Sequence, residues 1–255
     1  MKSHNFNHCV IWLTGASSGI GAALAIRLAR TDCTLILSAR DASKLDKVSA
    51  QCHKPPVILP VDVTDQVATQ SVIKEIEQRF GRLDIVIFNA GDCLYLDINA
   101  FDVTIFEKMM QTNFLSTVYG VAASLPLLKQ ASEPHIVLMG SSVSYLALPR
   151  AEAYGASKAA VKYFGDALRI HLATAKIPVT IVYPGFVKTP LTAKNNFPMP
   201  FAVSAEQAAE VIFKGLLKYK PEIRFPGSLL FMLRALNLLP LSWKVRLLKR
   251  MVDSK

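Results

Sequence analysis

Thr14-Gly15-Ala16-Ser17-Ser18-Gly19-Ile20-Gly21 follows a short apolar run at about 8–14 and opens an amphipathic stretch at about 19–31. Three glycines at a strand-to-helix junction leave few folds open. Gly15 permits the tight turn after the strand. Gly19 and Gly21 permit close approach of backbone to a bound group and of helix to strand. A helix beginning near Gly19 offers free N–H groups and the positive end of its dipole, which suits phosphates. The alternative is a glycine-rich turn that binds nothing.

The rest of the chain repeats the same alternation. Apolar runs at about 33–39, 57–61, 84–88, 135–140 and 179–183 read as buried strands, short and rich in Val, Ile and Leu. Amphipathic stretches at about 42–52, 65–79, 103–130 and 155–175 read as helices, with Asp41 and Thr64 or Asp65 as N-caps. Strands alternating with helices predict an α/β fold: a doubly wound parallel sheet covered on both faces, with its ligand crevice at the carboxyl ends of the strands. Residues 189–201 carry three prolines and two asparagines and read as a long loop, followed by a helix near 204–219 capped by Ser204. We divide the chain into a catalytic domain over 1–225 and a basic amphipathic helical extension over 226–255.

Composition narrows the class. The chain has 255 residues, enough for one large domain, and 51% apolar residues argue against disorder. Residues 1–8 are polar and the following apolar run is short, so no signal peptide is expected. No stretch long and apolar enough to span a bilayer is present. Cys9, Cys33, Cys52 and Cys93 show neither a C-x-x-C pair nor metal-ligand spacing with the scattered histidines, which predicts no metal site and free thiols in a reducing, cytoplasmic compartment. The net charge of +10 is concentrated at the end of the chain: from Lys218 onward there are nine Lys/Arg against Glu222 and Asp253.

Tyr154-Gly155-Ala156-Ser157-Lys158 places a phenol and an ammonium one helical turn apart on one face. A fixed positive charge stabilises a phenolate, so the sequence predicts that Lys158 lowers the Tyr154 pKa from about 10 toward neutrality. A phosphate-binding turn together with an acid–base pair implies hydride transfer coupled to proton transfer.

Further residues arrive in a particular order: Asn89-Ala90-Gly91 after the fourth strand, Asn113 in the next long helix, a serine 13 residues before Tyr154, and Pro184-Gly185 after the sixth strand. With T-G-x-x-x-G-x-G they make the chain resemble the short-chain dehydrogenase/reductase family over about residues 8 to 225. The resemblance implies a single-domain Rossmann fold, a nicotinamide cofactor and a catalytic tetrad of Asn113, Ser141, Tyr154 and Lys158. Ser142 is the alternative to Ser141, a neighbour bonding the loop. Tyr154 is then the general acid or base, Ser141 holds the reacting oxygen, and Lys158 also holds the nicotinamide ribose. Asn113 holds a water linking Lys158 to solvent, or else bonds backbone as a helix amide. Ser144 departs from the glycine that many relatives carry there.

Cofactor choice turns on Ser38-Ala39-Arg40. Relatives preferring NAD place a carboxylate there for the ribose 2′-hydroxyl. Arg40 suits a 2′-phosphate and Asp41 is read as a cap, so NADP(H) is expected, with NAD(H) possible if Arg40 is only a solvated charge. By resemblance, Asp62 and Val63 meet the adenine, and Val187 and Thr189 meet the nicotinamide. Gly15, Ser17, Ser18, Gly19, Ile20 and Gly21, with Asn89, Ala90, Gly91, Pro184 and Gly185, complete the cofactor site.

Cys93, Leu94, Tyr145, Leu146, Phe186 and the 191–201 loop are expected to line the substrate pocket, mostly apolar and suited to a hydrophobic carbonyl or alcohol. The reading is therefore an NADP(H)-dependent oxidoreductase of small molecules. An NAD-dependent alcohol dehydrogenase and a non-catalytic dinucleotide sensor or interaction protein are its alternatives. Relatives assemble through the two long helices, which implies a homodimer or homotetramer. Residues 228–252 mix Leu, Phe, Met and Trp with Arg and Lys at helical spacing, either lying at an anionic membrane surface or packing on the body or a partner. Stacking groups or a docking motif for nucleic acid are not found.

Overall fold

Seven parallel strands make one sheet in the computed structural model, which describes residues 6–253 and their side chains through residue 249. They are β1 (Val10–Thr14), β2 (Thr34–Ser38), β3 (Val57–Ile58), β4 (Ile85–Phe88), β5 (His135–Met139), β6 (Val179–Pro184) and β9 (Glu222–Phe225), in spatial order β3-β2-β1-β4-β5-β6-β9. The order reverses between β1 and β4, so the carboxyl ends of these two strands open a crevice. The doubly wound sheet predicted from the alternating pattern is present. β9 was not anticipated, because Glu222 and Arg224 interrupt its apolar residues. A separate two-stranded ribbon pairs β7 (Val187–Lys188) with β8 (Val203–Ser204).

The central strands β1, β4, β5 and β6 are buried on both faces, and alternate side chains supply two cores. On one face, Ile11 and Leu13 meet α1 (Gly19–Leu28), α2 (Ala42–Ser49) and α7 (Ala205–Leu217) through Leu24, Leu28, Leu45, Ile212 and Leu216. On the other, Val10 and Trp12 meet α3 (Gln66–Phe80), α5 (Ser116–Leu128) and α6 (Glu152–Leu172) through Val72, Ile76, Val121, Leu128 and Val161. Asp41, Asp65 and Ser204 cap α2, α3 and α7, Ser204 with Gln207 in a reciprocal capping box. Of the two candidate caps before α3, Asp65 serves and Thr64 does not.

The helical stretch expected over 103–130 is broken in a specific way. α4 (Val103–Met109) runs into a π turn over Met110–Leu115 before α5 begins. Such turns insert one residue per turn and re-aim side chains, commonly at functional sites. Two helices follow β9: α8 (Gly227–Asn237), docked through Leu229, Leu230 and Leu233, and α9 (Leu241–Asp253). Among the described residues, no helix is long and apolar enough to cross a membrane.

Polar groups lock the sheet at two buried points. The Trp12 indole N–H donates to Ser38 Oγ at 2.9 Å, and Ser38 Oγ donates to the Leu59 carbonyl at 2.6 Å. Asp84, fully buried, accepts the Val10 N–H at 2.8 Å and a 2.6 Å bond from Arg82. Removing that carboxylate strands a buried N–H. We expect Asp84→Ala to lower the unfolding free energy by about 2–3 kcal/mol, and Asp84→Asn by less, since the amide oxygen still accepts. Urea titrations of the two variants check this, and equal losses would contradict it.

Candidate active site

Gly15 has φ +65° and Gly19 φ +54°, a region that side chains other than glycine rarely enter. The turn they form is tied to the end of β4. Thr14 Oγ1 accepts the N–H groups of Asn89 at 3.1 Å and Ala90 at 3.2 Å, and Asn89 Nδ2 donates to the carbonyls of Thr14 and Gly15. A Cβ on Gly21 would lie 2.1 Å from the Gly15 oxygen, and one on Gly15 would lie 2.6 Å from Ala90 Cα. So Asn89 and Ala90 hold the turn together from behind.

The N-terminus of α1 is left open. Ser18, its N-cap, makes no side-chain cap bond, in contrast to the capped α2, α3 and α7. The first N–H groups of the helix, on Gly19, Ile20 and Gly21, have no carbonyl partner within it. Ser17 and Ser18 border this end, and Thr189 covers it: its Cγ2 stands 3.0 Å from where a Gly19 Cβ would be. The rim continues to Arg40, exposed at the end of β2 and without a hydrogen-bond or ion-pair partner among the described residues. The adjacent Asp41 is committed elsewhere, accepting the Lys44 N–H at 3.1 Å and held below the usual carboxylate range by that bond and the Lys44 charge. Asp62 binds the N–H and hydroxyl of Thr64, while Val63 packs on the core beside it. Burial works to raise the Asp62 carboxyl, but the Thr64 bonds and the charge of Arg40 outweigh it and leave it lowered.

The residues expected to act as acid and base meet near the end of β5. Ser141, buried, caps a short 3-10 turn over Ser142–Tyr145 and lies near enough to the Tyr154 phenol to work against the rise in its pKa. Ser142 is buried beside it, and the loop's local bond is to Ser141, whose Oγ accepts the Val143 N–H. Lys158 Nζ, also buried, donates to the Met139 carbonyl at 2.9 Å and lies 5.9 Å from the centre of the Tyr154 ring. Gly91 leaves room beside it, since a Cβ there would stand 3.4 Å from Nζ.

The electrostatics correct the sequence reading. Lys158 was expected to pull the Tyr154 pKa down. Burial instead pushes the phenol well above its ordinary value, the Cys93 thiol adds to this, and only Ser141 opposes it. The ammonium is spent on a backbone carbonyl and is itself desolvated, which lowers Lys158 to about 8, with Cys93 pulling the other way. Unliganded, the pair is a protonated phenol beside a lysine that sheds its charge easily.

Asn113 sits in the π turn and is buried. Its Oδ1 accepts the Asp92 N–H at 2.8 Å, and its Nδ2 donates to the Asp92 carbonyl at 3.0 Å and to Ser157 Oγ at 2.9 Å. Ser157 Oγ donates in turn to the Tyr154 carbonyl at 2.7 Å. This clamp joins the strand-four loop to α6. Ser157 was missed from sequence, although it lies inside the Tyr154–Lys158 segment on the side facing the π turn.

The far wall is a clasp of three loops. The Tyr95 hydroxyl donates to Asn195 Oδ1 at 3.0 Å, Arg150 donates to Asn196 Oδ1 at 3.1 Å, and Phe197 packs edge-on against Tyr95 at 5.5 Å. Of the expected pocket residues, Cys93 and Phe186 fit this wall. Tyr145 and Leu146 do not: Tyr145 turns to Arg224 and Tyr183, and Leu146 packs with Leu229 and Leu233 of α8. Pro184 and Gly185 also serve the C-terminal packing, with Gly185 N–H on the Phe225 carbonyl at 2.7 Å. Ser144 buries its hydroxyl without a hydrogen-bond partner among the described residues.

A model of the short chain dehydrogenase family matches residues 9–199. The chain belongs to that family. A Myxococcus xanthus protein described as an oxidoreductase is 34% identical over 231 residues, covering 89% of this chain and 91% of its own length. A Staphylococcus epidermidis protein, also described as an oxidoreductase, is 30% identical over 204 residues, covering 80% and 89%. The fold matches a short-chain dehydrogenase/reductase from Burkholderia phymatum solved in complex with NAD, at TM-score 0.84 and 21% identity, covering 91% of this chain and 93% of that one.

The buried lysine of this short-chain dehydrogenase gives a pH test. Its pKa falls from 10.5 in the open chain to about 8 when folded, so the unfolded state binds more protons between those values. The penalty is full below about pH 8, shrinks as pH rises, and is gone above about 10.5. Lys158→Met is expected to be more stable than wild type near pH 7, by up to about 3 kcal/mol. The gap should narrow by about pH 10. Chemical denaturation at both pH values measures it, and a pH-independent gap would count against a desolvated ammonium.

Proposed function

We propose that this short-chain dehydrogenase is an NADP(H)-dependent oxidoreductase that interconverts a carbonyl and an alcohol on an apolar small molecule. The observation that carries the reading is the meeting of Tyr154, Ser141 and Lys158 beside an uncapped helix end with a glycine cradle. NADP(H), when bound, supplies or accepts the hydride. The N–H groups of the 17–21 turn would hold its diphosphate, with Gly15, Gly19 and Gly21 keeping the cradle clear. Arg40 would take the 2′-phosphate, since its guanidinium is free while Asp41 is occupied as a cap. Asp62 and Val63 would border the adenine. Asn89, Ala90 and Gly91 would back the nucleotide. Pro184, Gly185, Val187 and Thr189 would flank the nicotinamide.

Tyr154 gives its proton to the substrate oxygen as the carbon is reduced, and the reverse step returns it. A phenol held protonated by burial suits the reductive direction. Ser141 donates a hydrogen bond to the oxygen as charge develops there. Lys158, 5.9 Å from the centre of the Tyr154 ring, would bond the nicotinamide ribose. Asn113 is a positioning residue that fixes the Asp92 loop against α6. Phe186, Phe197 and Leu94 make the substrate side apolar. Four free thiols fit a cytoplasmic compartment. Tyr163 and Ile170, 80% and 77% exposed on the outer face of α6, support assembly into a homodimer or homotetramer.

Tyr154→Phe is expected to cut kcat by about 10²–10⁴ while leaving NADPH affinity nearly unchanged. Retention of most of the wild-type rate on an aldehyde or ketone panel would refute the assignment. Arg40→Ala should weaken NADPH binding by about tenfold or more and scarcely change NADH binding, because the lost bond is charge-assisted. Calorimetric titration with both cofactors decides it, and equal losses would make Arg40 a mere surface charge.

A further inference from the structure

Exposed large apolar side chains are not spread evenly over this molecule. Seven of the fifteen among the described residues lie between residues 231 and 247, on two consecutive helices and the turn between them. Leu238 is 88% exposed, Phe231 78%, Leu241 73% and Trp243 67%. Such a concentration on one structural unit marks a surface that meets something apolar.

α9 has an inner and an outer edge. On the inner edge Leu248 packs with Leu146, Leu229 and Leu233, and Lys244 Nζ donates to the carbonyl and side-chain oxygens of Asn237, both at 3.3 Å. Lys244 thereby braces the turn at the end of α8. On the outer edge Trp243, Arg246 and Leu247 stand at i, i+3 and i+4, so an indole, a guanidinium and an aliphatic chain share one face. Between α9 and the 143–149 loop runs a groove of about 710 Å³, lined on the helix side by Leu241, Val245 and Leu248. Its α6 wall is Glu152, Gly155, Ala156 and Ala159, the face turned away from Tyr154 and Lys158, so the groove is separate from the proposed catalytic cleft.

Charge selects the occupant. Residues 227–255 carry Arg234, Lys244, Arg246, Lys249, Arg250 and Lys255 against one acid, Asp253. A second copy of the same hairpin would bring like charge against like charge. An anionic bilayer surface complements both features, accepting Trp and Leu at the level of its headgroups and attracting Lys and Arg. We propose that the α8–α9 hairpin is an interfacial anchor that holds the protein reversibly on anionic lipid.

The test uses the full chain with phosphatidylcholine vesicles, plain or mixed with phosphatidylglycerol. Of the two tryptophans, Trp12 is 1% exposed and Trp243 67%, so an emission shift on binding reports Trp243. Expected are co-sedimentation with the anionic vesicles at low salt, a blue shift, and loss of both at high salt or with neutral vesicles. The double variant Arg246→Glu, Lys249→Glu should bind about tenfold more weakly or worse. Its turnover of a water-soluble carbonyl should match wild type, which separates failure of the anchor from failure of the proposed chemistry. No sedimentation at low salt, equal binding to neutral vesicles, or burial of Trp243 by self-association alone would overturn the anchor.

Discussion

Thr14 and Asn89 tie the glycine turn to the end of β4, and the whole site depends on that tie. It brings the start of α1 to the place where the strand order reverses, and it works only because Gly15 and Gly21 carry no side chains. A Cβ on Gly21 would press on Asn89 Nδ2 at 2.5 Å as well as on the Gly15 carbonyl. The glycine spacing and the asparagine are therefore one device contributed by two distant segments. What it leaves open is an uncapped helix end, whose first backbone N–H groups have no cap from the Ser18 side chain.

Tyr154 and Lys158 are governed by burial more than by their mutual charge. Desolvation of the half-buried Tyr154 phenol raises its pKa above the ordinary value. Lys158 is desolvated and leans on the Met139 carbonyl. Geometry is supplied from outside the pair: Asn113 grips Asp92 and Ser157, and Ser157 grips the first turn of α6. The π turn at 110–115 aims Asn113 at both partners.

Much of this was legible in the sequence, and the limits have physical causes. Continuous apolar runs marked the six longer or more apolar strand segments because a parallel strand buries both faces. Asp41 and Ser204 announced their helices because capping is a local interaction. The short β9 was hidden because its alternating charges look like a surface segment, and its pairing with β6 is long-range. The π turn left no local signature in 103–130. Neither did the Tyr95–Asn195 clasp, which joins loops 100 residues apart. The tyrosine pKa was misjudged because a lysine one turn away was assumed to point its charge at the phenol, and desolvation cannot be read from spacing.

The central claim is that the open end of α1 is a dinucleotide site assembled by the Thr14–Asn89 tie. Calorimetric titration of NADPH into wild type and into Asn89→Ala tests it most directly. The account predicts clear binding to wild type and an affinity lower by about tenfold or more in the variant, which loses two hydrogen bonds that shape the turn. Failure of the wild-type protein to bind either NADPH or NADH would contradict it.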